Sequence, residues 1–106
     1  MDQGPTERVN PADCRTMAEV RAGVDALDVQ IAALLAERFR YMAAAARIKP
    51  ERGQVRDEAR KAEVIGNATR AAAAAGAPAD RVAMLYEALV ESSIAYELGL
   101  FDARVG

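Results

Sequence analysis

A chain of 106 residues with 52% apolar side chains has the size of one domain and a limited core of its own. Its 14 Lys and Arg against 16 Asp and Glu, net −2 and interspersed in sign, exclude the basic face or stripe of a nucleic-acid binder. No apolar run approaches the ~18 residues of a membrane span, and the opening MDQGPTERVNPADC lacks the apolar centre of a secretory signal, so a cytoplasmic location is expected.

Residues 1–10 read as a flexible segment, residues 11–100 as one helical domain and 101–106 as a tail carrying little information. The first helix is signalled by Thr16-Met17-Ala18-Glu19, a capping box with Thr16 as N-cap and Glu19 reaching back. It is expected to run to about Ile48, where Pro50 stops it, giving roughly 45–50 Å of helix. Val24, Leu27, Ile31 and Leu34 form a three-four seam that continues through Arg38, Tyr41, Ala45 and Ile48, so Arg38 occupies an a-type heptad position.

Glu51 to Asp57 (ERGQVRD) is a polar loop centred on Gly53. A second helix opens at Asp57 or Glu58, passes through Val64 and Ile65 to the alanines at 71–75, and ends at Gly76 with Pro78 just beyond. Pro78 opens a third helix with Asp80 in its first turn, extending to about Gly99. One stripe along it is Val82, Leu85, Leu89, Ser92 and Tyr96; beside it run Tyr86, Val90, Ser93 and Glu97. No strand signal competes. The expected architecture is all-α: three helices, one very long, in an intertwined homodimer that gives the long helix a second partner surface.

The chemistry is bounded by absences. Cys14 is the single cysteine and there is no histidine, which removes internal disulfides, Cys/His or Ser/His pairs and an ordinary zinc site. Cys14 itself reads as structural or incidental.

Charges on the apolar faces carry the remaining information. Arg38 and Lys49 are eleven residues apart, about three turns and roughly 16 Å, within ~20° of one face, so their heads could converge on a compact anion. Arg21 lies some 25 Å from Arg38 along the axis and could reach such a site only from an antiparallel partner chain. Each cation alone has a plainer account: snorkelling or a structural ion pair for Arg38, and compensation of the helix dipole for Lys49. Arg56, Asp57, Arg60 and Lys61 cluster within two turns, and a local ion pair at a solvated helix start accounts for Arg56 and Lys61. Glu97, a carboxylate near a helix C-terminus, is disfavoured by the dipole and fits best as a neutral donor. Taken across three helices, these oddities favour a polar pocket inside a helical bundle.

Several cations and one carboxyl, without metal or thiol, suit a small dicarboxylate. Such a pocket can catalyse a reaction needing no general base, by holding a flexible anion in its reactive shape and stabilising charge that develops on oxygen. A pericyclic rearrangement is of that kind.

ADCRTMAEVR leading into VDALDVQIAALLAERF, RIK at 47–49, VRDEAR at 55–60 and LYEALVESSIAYE at 85–97 together resemble the all-helical chorismate mutase family. Within it the chain is similar to the isochorismate pyruvate lyase branch, which shares the Pro11-x-Asp13-Cys14 segment. The resemblance runs from about Pro11 to Leu98. It implies a homodimer with shared active sites, a small dicarboxylate substrate and no cofactor or metal. It further implies that Arg21 crosses from the partner subunit to one substrate carboxylate, while Arg38 holds the other. Lys49 and Glu97 would donate to the ether oxygen whose bond to carbon breaks, Asp57 would lie near the ring hydroxyl, Arg60 would help bind substrate, and Ser93 would contact a carboxylate. Two departures stand out: Lys61 where many mutases have glutamate, and Glu97 where many have glutamine. An ionised carboxylate cannot donate a hydrogen bond, so Glu97 must be protonated to act.

The expected activity is chorismate mutase, with isochorismate pyruvate lyase as the alternative, a related amino-chorismate mutase behind it, and a non-catalytic helical dimerisation module as the reading from a different class. Unpaired inward cations disfavour that last possibility.

Overall fold

The computed structural model describes residues 8–104 and contains three α-helices and two short 3-10 turns, with no strand among those residues. The chain divides into two compact units, the first ending at Phe39 and the second beginning at Arg40. The expected flexible segment falls largely on residues 1–7, and part of the expected tail on 105–106, all outside the described residues.

In the first unit, Pro11–Asp13 forms a 3-10 turn capped by Asn10, whose Oδ1 accepts from the Ala12 amide at 3.0 Å. Helix α1, Met17–Ile48, begins here. Its start is the capping box read from sequence: the Glu19 amide donates to Thr16 Oγ1 at 3.1 Å. In return the Arg15 and Thr16 amides donate to Glu19 Oε1 at 2.7 and 3.2 Å. Those amides, Arg15 first, hold the Glu19 carboxyl below its ordinary range. The apolar seam lies open: Val24 and Ile31 are 51% exposed and Leu34 66%.

The second unit holds the end of α1 and everything after it. Pro50 ends α1 as expected. The stretch read as a plain loop instead makes a 3-10 turn, Arg52–Gln54, in which the Glu51 amide donates to Gln54 Oε1 at 3.1 Å. The turn drops Val55 into the interior, 4% exposed, against Val90 and Ile94. Val64, Ile65, Leu98 and Phe101 pack around this cluster.

Helix α2, Glu58–Ala74, is N-capped by Asp57, whose Oδ1 accepts from the Arg60 amide at 3.0 Å. It closes in a Schellman motif: the Ala77 amide donates to Ala72 O and the Gly76 amide to Ala73 O. Gly76 takes φ +80°, the left-handed value that makes glycine the fitting residue there. Helix α3, Ala79–Ala103, packs along α2. It runs four residues beyond Gly99, so Phe101 to Ala103 continue the helix rather than forming an uninformative tail.

Of the two stripes on α3, the second is the inner one. Val90, Ser93, Ile94 and Glu97 are buried, whereas Leu85 is 68% and Tyr96 45% exposed. The inner stripe thus carries two polar residues into the interior.

Candidate active site

Glu97 lies one turn beyond Ser93 on α3; the two are 4% and 3% exposed. Burying a carboxylate is costly unless a cation answers it. The answer comes from Lys49, the first residue after α1, whose Nζ stands 2.7 Å from Glu97 Oε2 with 31% of its side chain exposed. The contact is an ion pair in distance, but its approach angle falls outside hydrogen-bond geometry: Glu97 Oε2 is buried without a hydrogen-bond partner. The site therefore holds an acceptor with unused capacity beside a cation that reaches solvent. Ser93 Oγ donates to Leu89 O, one turn back on its own helix, at 2.7 Å.

Lys49 also lines an open cleft of about 630 Å³ formed by the end of α1, the 3-10 turn and the start of α2. Asp57 and Gln54 line the same cleft. One Asp57 oxygen is committed to the α2 cap, which ties the position of this carboxylate to the start of the helix. Arg60 is not among the lining residues and turns to Glu63 at 2.8 Å, an exposed pair one turn apart. In the first unit, Arg21 is exposed on the early part of α1 and Arg38 is half-buried further along it. Of the seven residues singled out in the sequence, Lys49 and Glu97 are brought into contact, Ser93 adjoins Glu97, and Asp57 shares the cleft with Lys49.

The local ion pair expected at the start of α2 is present for Arg56, through Glu58, but not for Lys61, and both cations reach across to α3. Arg56 pairs with Glu58 at 2.8 Å and with Glu91 at 2.7 Å, and Lys61 reaches Glu87 at 2.7 Å and Glu91 at 2.6 Å. Glu91 on α3 is thereby clamped between two cations at the start of α2. Hydrogen bonds from Arg56, then from Lys61, hold its carboxyl down at about 2. Sequence reading missed Glu87 and Glu91 as partners, because a carboxylate on an exposed helical face has no local mark of what it meets. Lys61 therefore faces carboxylates, and nothing at its position supplies an acid to a ligand hydroxyl.

The arrangement offers a cation and a carboxyl in contact, a hydroxyl one turn from the carboxyl, and an open cleft lined by the cation. That composition fits a small oxygen-rich anion. The sequence model of the chorismate mutase type II family matches residues 20–98, most of the chain and all three helices. The chain belongs to that family. Among curated proteins, none matches it. Among the described residues, no helix is long and apolar enough to cross a membrane.

Glu91 provides a pH test of the clamp between α2 and α3. Its carboxyl titrates lower in the folded chain than in the unfolded one, so its contribution is fully present above its ordinary 4.5 and is lost as pH falls toward about 2. The stability difference between wild type and Glu91→Gln, measured by denaturant melts, is expected to shrink over that window; a constant difference would show that the clamp is not formed in solution. The effect is expected to be small, because the groups are solvent-screened.

Proposed function

We propose that the protein is a chorismate mutase, converting chorismate to prephenate at the site built on Lys49 and Glu97. The observation that supports this reading is the Lys49–Glu97 contact: an ammonium and a buried carboxyl side by side, the carboxyl with an oxygen that has no hydrogen-bond partner. In this rearrangement the ether C–O bond breaks while the enolpyruvyl CH₂ carbon bonds to the ring carbon bearing the carboxylate. No proton, electron pair or water is gained or lost. The demands are conformational restraint of a flexible dianion and stabilisation of the negative charge that grows on the ether oxygen.

Lys49 meets the second demand directly, because its ammonium has three donors and needs no change of protonation to use them. Glu97 meets it only as a carboxylic acid. In the free chain it faces an ammonium as its counter-ion; when a dianion enters, Lys49 turns to the ether oxygen and Glu97 takes up a proton, which the added negative charge favours. Losing either donor is expected to raise the barrier by roughly 2.7–4 kcal/mol, by analogy with oxyanion donors. Ser93 rotates its hydroxyl from Leu89 O to a substrate carboxylate, and Asp57 takes the ring hydroxyl through its oxygen not used in the cap. Arg60 leaves its surface partner Glu63 to add a further cation.

The carboxylate clamps are Arg38 and Arg21, the latter from a partner subunit. The open seam of α1 supports a homodimer: Leu34, Tyr41 and Ile48 are 66, 66 and 70% exposed, a run of large apolar groups that ordinarily marks an interaction surface. If each site takes Arg38 from one subunit and Arg21 from the other, a mixed dimer of two inactive variants regains one intact site.

One observation favours the isochorismate pyruvate lyase reading. Lys61 stands where a glutamate would recognise the ring hydroxyl in many mutases, and its ammonium is occupied by Glu87 and Glu91. The hydroxyl sits elsewhere on the isochorismate ring.

Purified protein incubated separately with chorismate and with isochorismate is expected to form prephenate from the first. Salicylate from the second alone would assign the lyase, and turnover of neither would leave a non-catalytic helical module. With the active substrate, the rate is expected to fall as pH rises and Glu97 loses its proton. Glu97→Gln, which donates at every pH, is expected to flatten that limb; an unchanged profile would remove Glu97 from its role. Mixing refolded Arg21→Ala and Arg38→Ala chains is expected to restore about a quarter of wild-type activity, since half the dimers are mixed and each has one complete site. No recovery on verified subunit exchange would place both arginines in the same subunit's site.

A further inference from the structure

Pro50 leaves a gap in the hydrogen bonding of α1. The carbonyl of Ala46, 1% exposed, would ordinarily accept from the amide four residues on, but residue 50 is proline and has none. The Lys49 carbonyl, beyond the last helical turn, likewise has no helical continuation to accept from. Both are supplied from the far end of the chain. Arg104 Nη1, just past α3, donates to Ala46 O at 3.0 Å and to Lys49 O at 2.6 Å. The guanidinium is itself seated over the Phe101 ring, 4.0 Å from its centre, and Phe101 packs against the Val55–Val90–Ile94 cluster. A cation here also answers the negative end of the α1 dipole.

We propose that Arg104 is a positioning residue for the reaction. By filling the two carbonyls left open where α1 ends, it fixes the Lys49 backbone on one side. The Lys49 amide, bonded to Ala45 O at 2.9 Å, fixes it on the other. With both ends of the residue held, the lysine stem has a defined origin from which its ammonium meets Glu97. Arg104 touches no substrate; it acts through the aim of Lys49. The kinetic consequence rests on the mutase reading of the site, whereas the consequence for Lys49 itself does not.

The neighbouring Arg52–Asp102 pair provides the control. Arg52 Nε and Nη2 bond Asp102 Oδ1 and Oδ2 at 2.7 and 3.1 Å, tying the same last turn of α3 to the 3-10 turn without touching Lys49. If Arg104 served only to hold the end of α3 down, Asp102→Asn would have similar effects.

Two measurements on the full chain test this. The protein has only two lysines, Lys49 and Lys61, so limited amine acylation followed by peptide mass analysis reads Lys49 against an internal standard. In Arg104→Ala the Lys49:Lys61 labelling ratio is expected to rise several-fold. Its kcat is expected to fall about tenfold or more while KM stays within about twofold, the pattern of a misdirected group rather than a lost binding contact. Because both bonds leave from one nitrogen, Arg104→Lys is expected to restore both readouts, and Asp102→Asn to change neither. Should the alanine variant fail to fold, Arg104→Met, which keeps an apolar stem against Phe101 and donates nothing, carries the same expectation. A folded Arg104→Ala or Arg104→Met with the wild-type labelling ratio and kcat would overturn the proposal, as would an Asp102→Asn variant matching either in effect. If wild-type protein turns over neither substrate, the mutase reading falls, and the labelling ratios still decide whether Arg104 aims Lys49.

Discussion

The Lys49 ammonium, 2.7 Å from a Glu97 carboxylate that is almost wholly buried, joins the end of α1 to the inner face of α3. A carboxylate at that depth is costly to hold without a cation beside it. The surrounding structure reads as the means of bringing the two together. Pro50 ends α1 immediately after Lys49. The Arg52–Gln54 turn lowers Val55 onto Val90 and Ile94, which turns the Ser93–Glu97 stripe inward. Arg56 and Lys61 grip Glu91 and hold the start of α2 against α3, while Arg104 satisfies the carbonyls at the end of α1.

A pair that neutralises itself in the free chain is not yet a catalytic device. Its value, in the reading proposed above, lies in how readily it opens. Lys49 keeps nearly a third of its side chain in solvent, beside a cleft also lined by Asp57, so a dianion can approach the cation without unpacking the core. Glu97 Oε2, with no hydrogen bond, has nothing else to give up. The same geometry is therefore compatible with storage as an ion pair and with service as two donors, the difference being one proton.

Local chemistry made much of the fold legible. Thr16 and Glu19 announced α1, Pro50 its end, Asp57 the cap of α2, and Gly76 the left-handed residue that closes it. The oddity of Glu97 was visible as a carboxyl on an otherwise inward stripe. What remained hidden depends on contacts far apart in the chain. Val55 sits in a polar stretch with no periodicity to mark it as core. Arg104 looked like tail because its partners, Ala46 and Lys49, lie more than fifty residues back. The heptad seam of α1 is largely apolar in sequence and lies exposed, and apolarity says that a surface wants a partner and not which one. Arg21 stands in the same position: the pattern marks it as a cation on the long helix, and under the function proposed above it would meet its site only from a second chain.

The most direct test of the central claim is calorimetric. A stable bicyclic dicarboxylate ether resembling the rearranging substrate can be titrated into the protein in buffers of different ionisation enthalpy. If the dianion opens the Lys49–Glu97 pair and leaves Glu97 as an acid, binding takes up about one proton per site at neutral pH, and Glu97→Gln abolishes the uptake. Tight binding with no proton exchanged, or uptake that survives Glu97→Gln, would contradict the account.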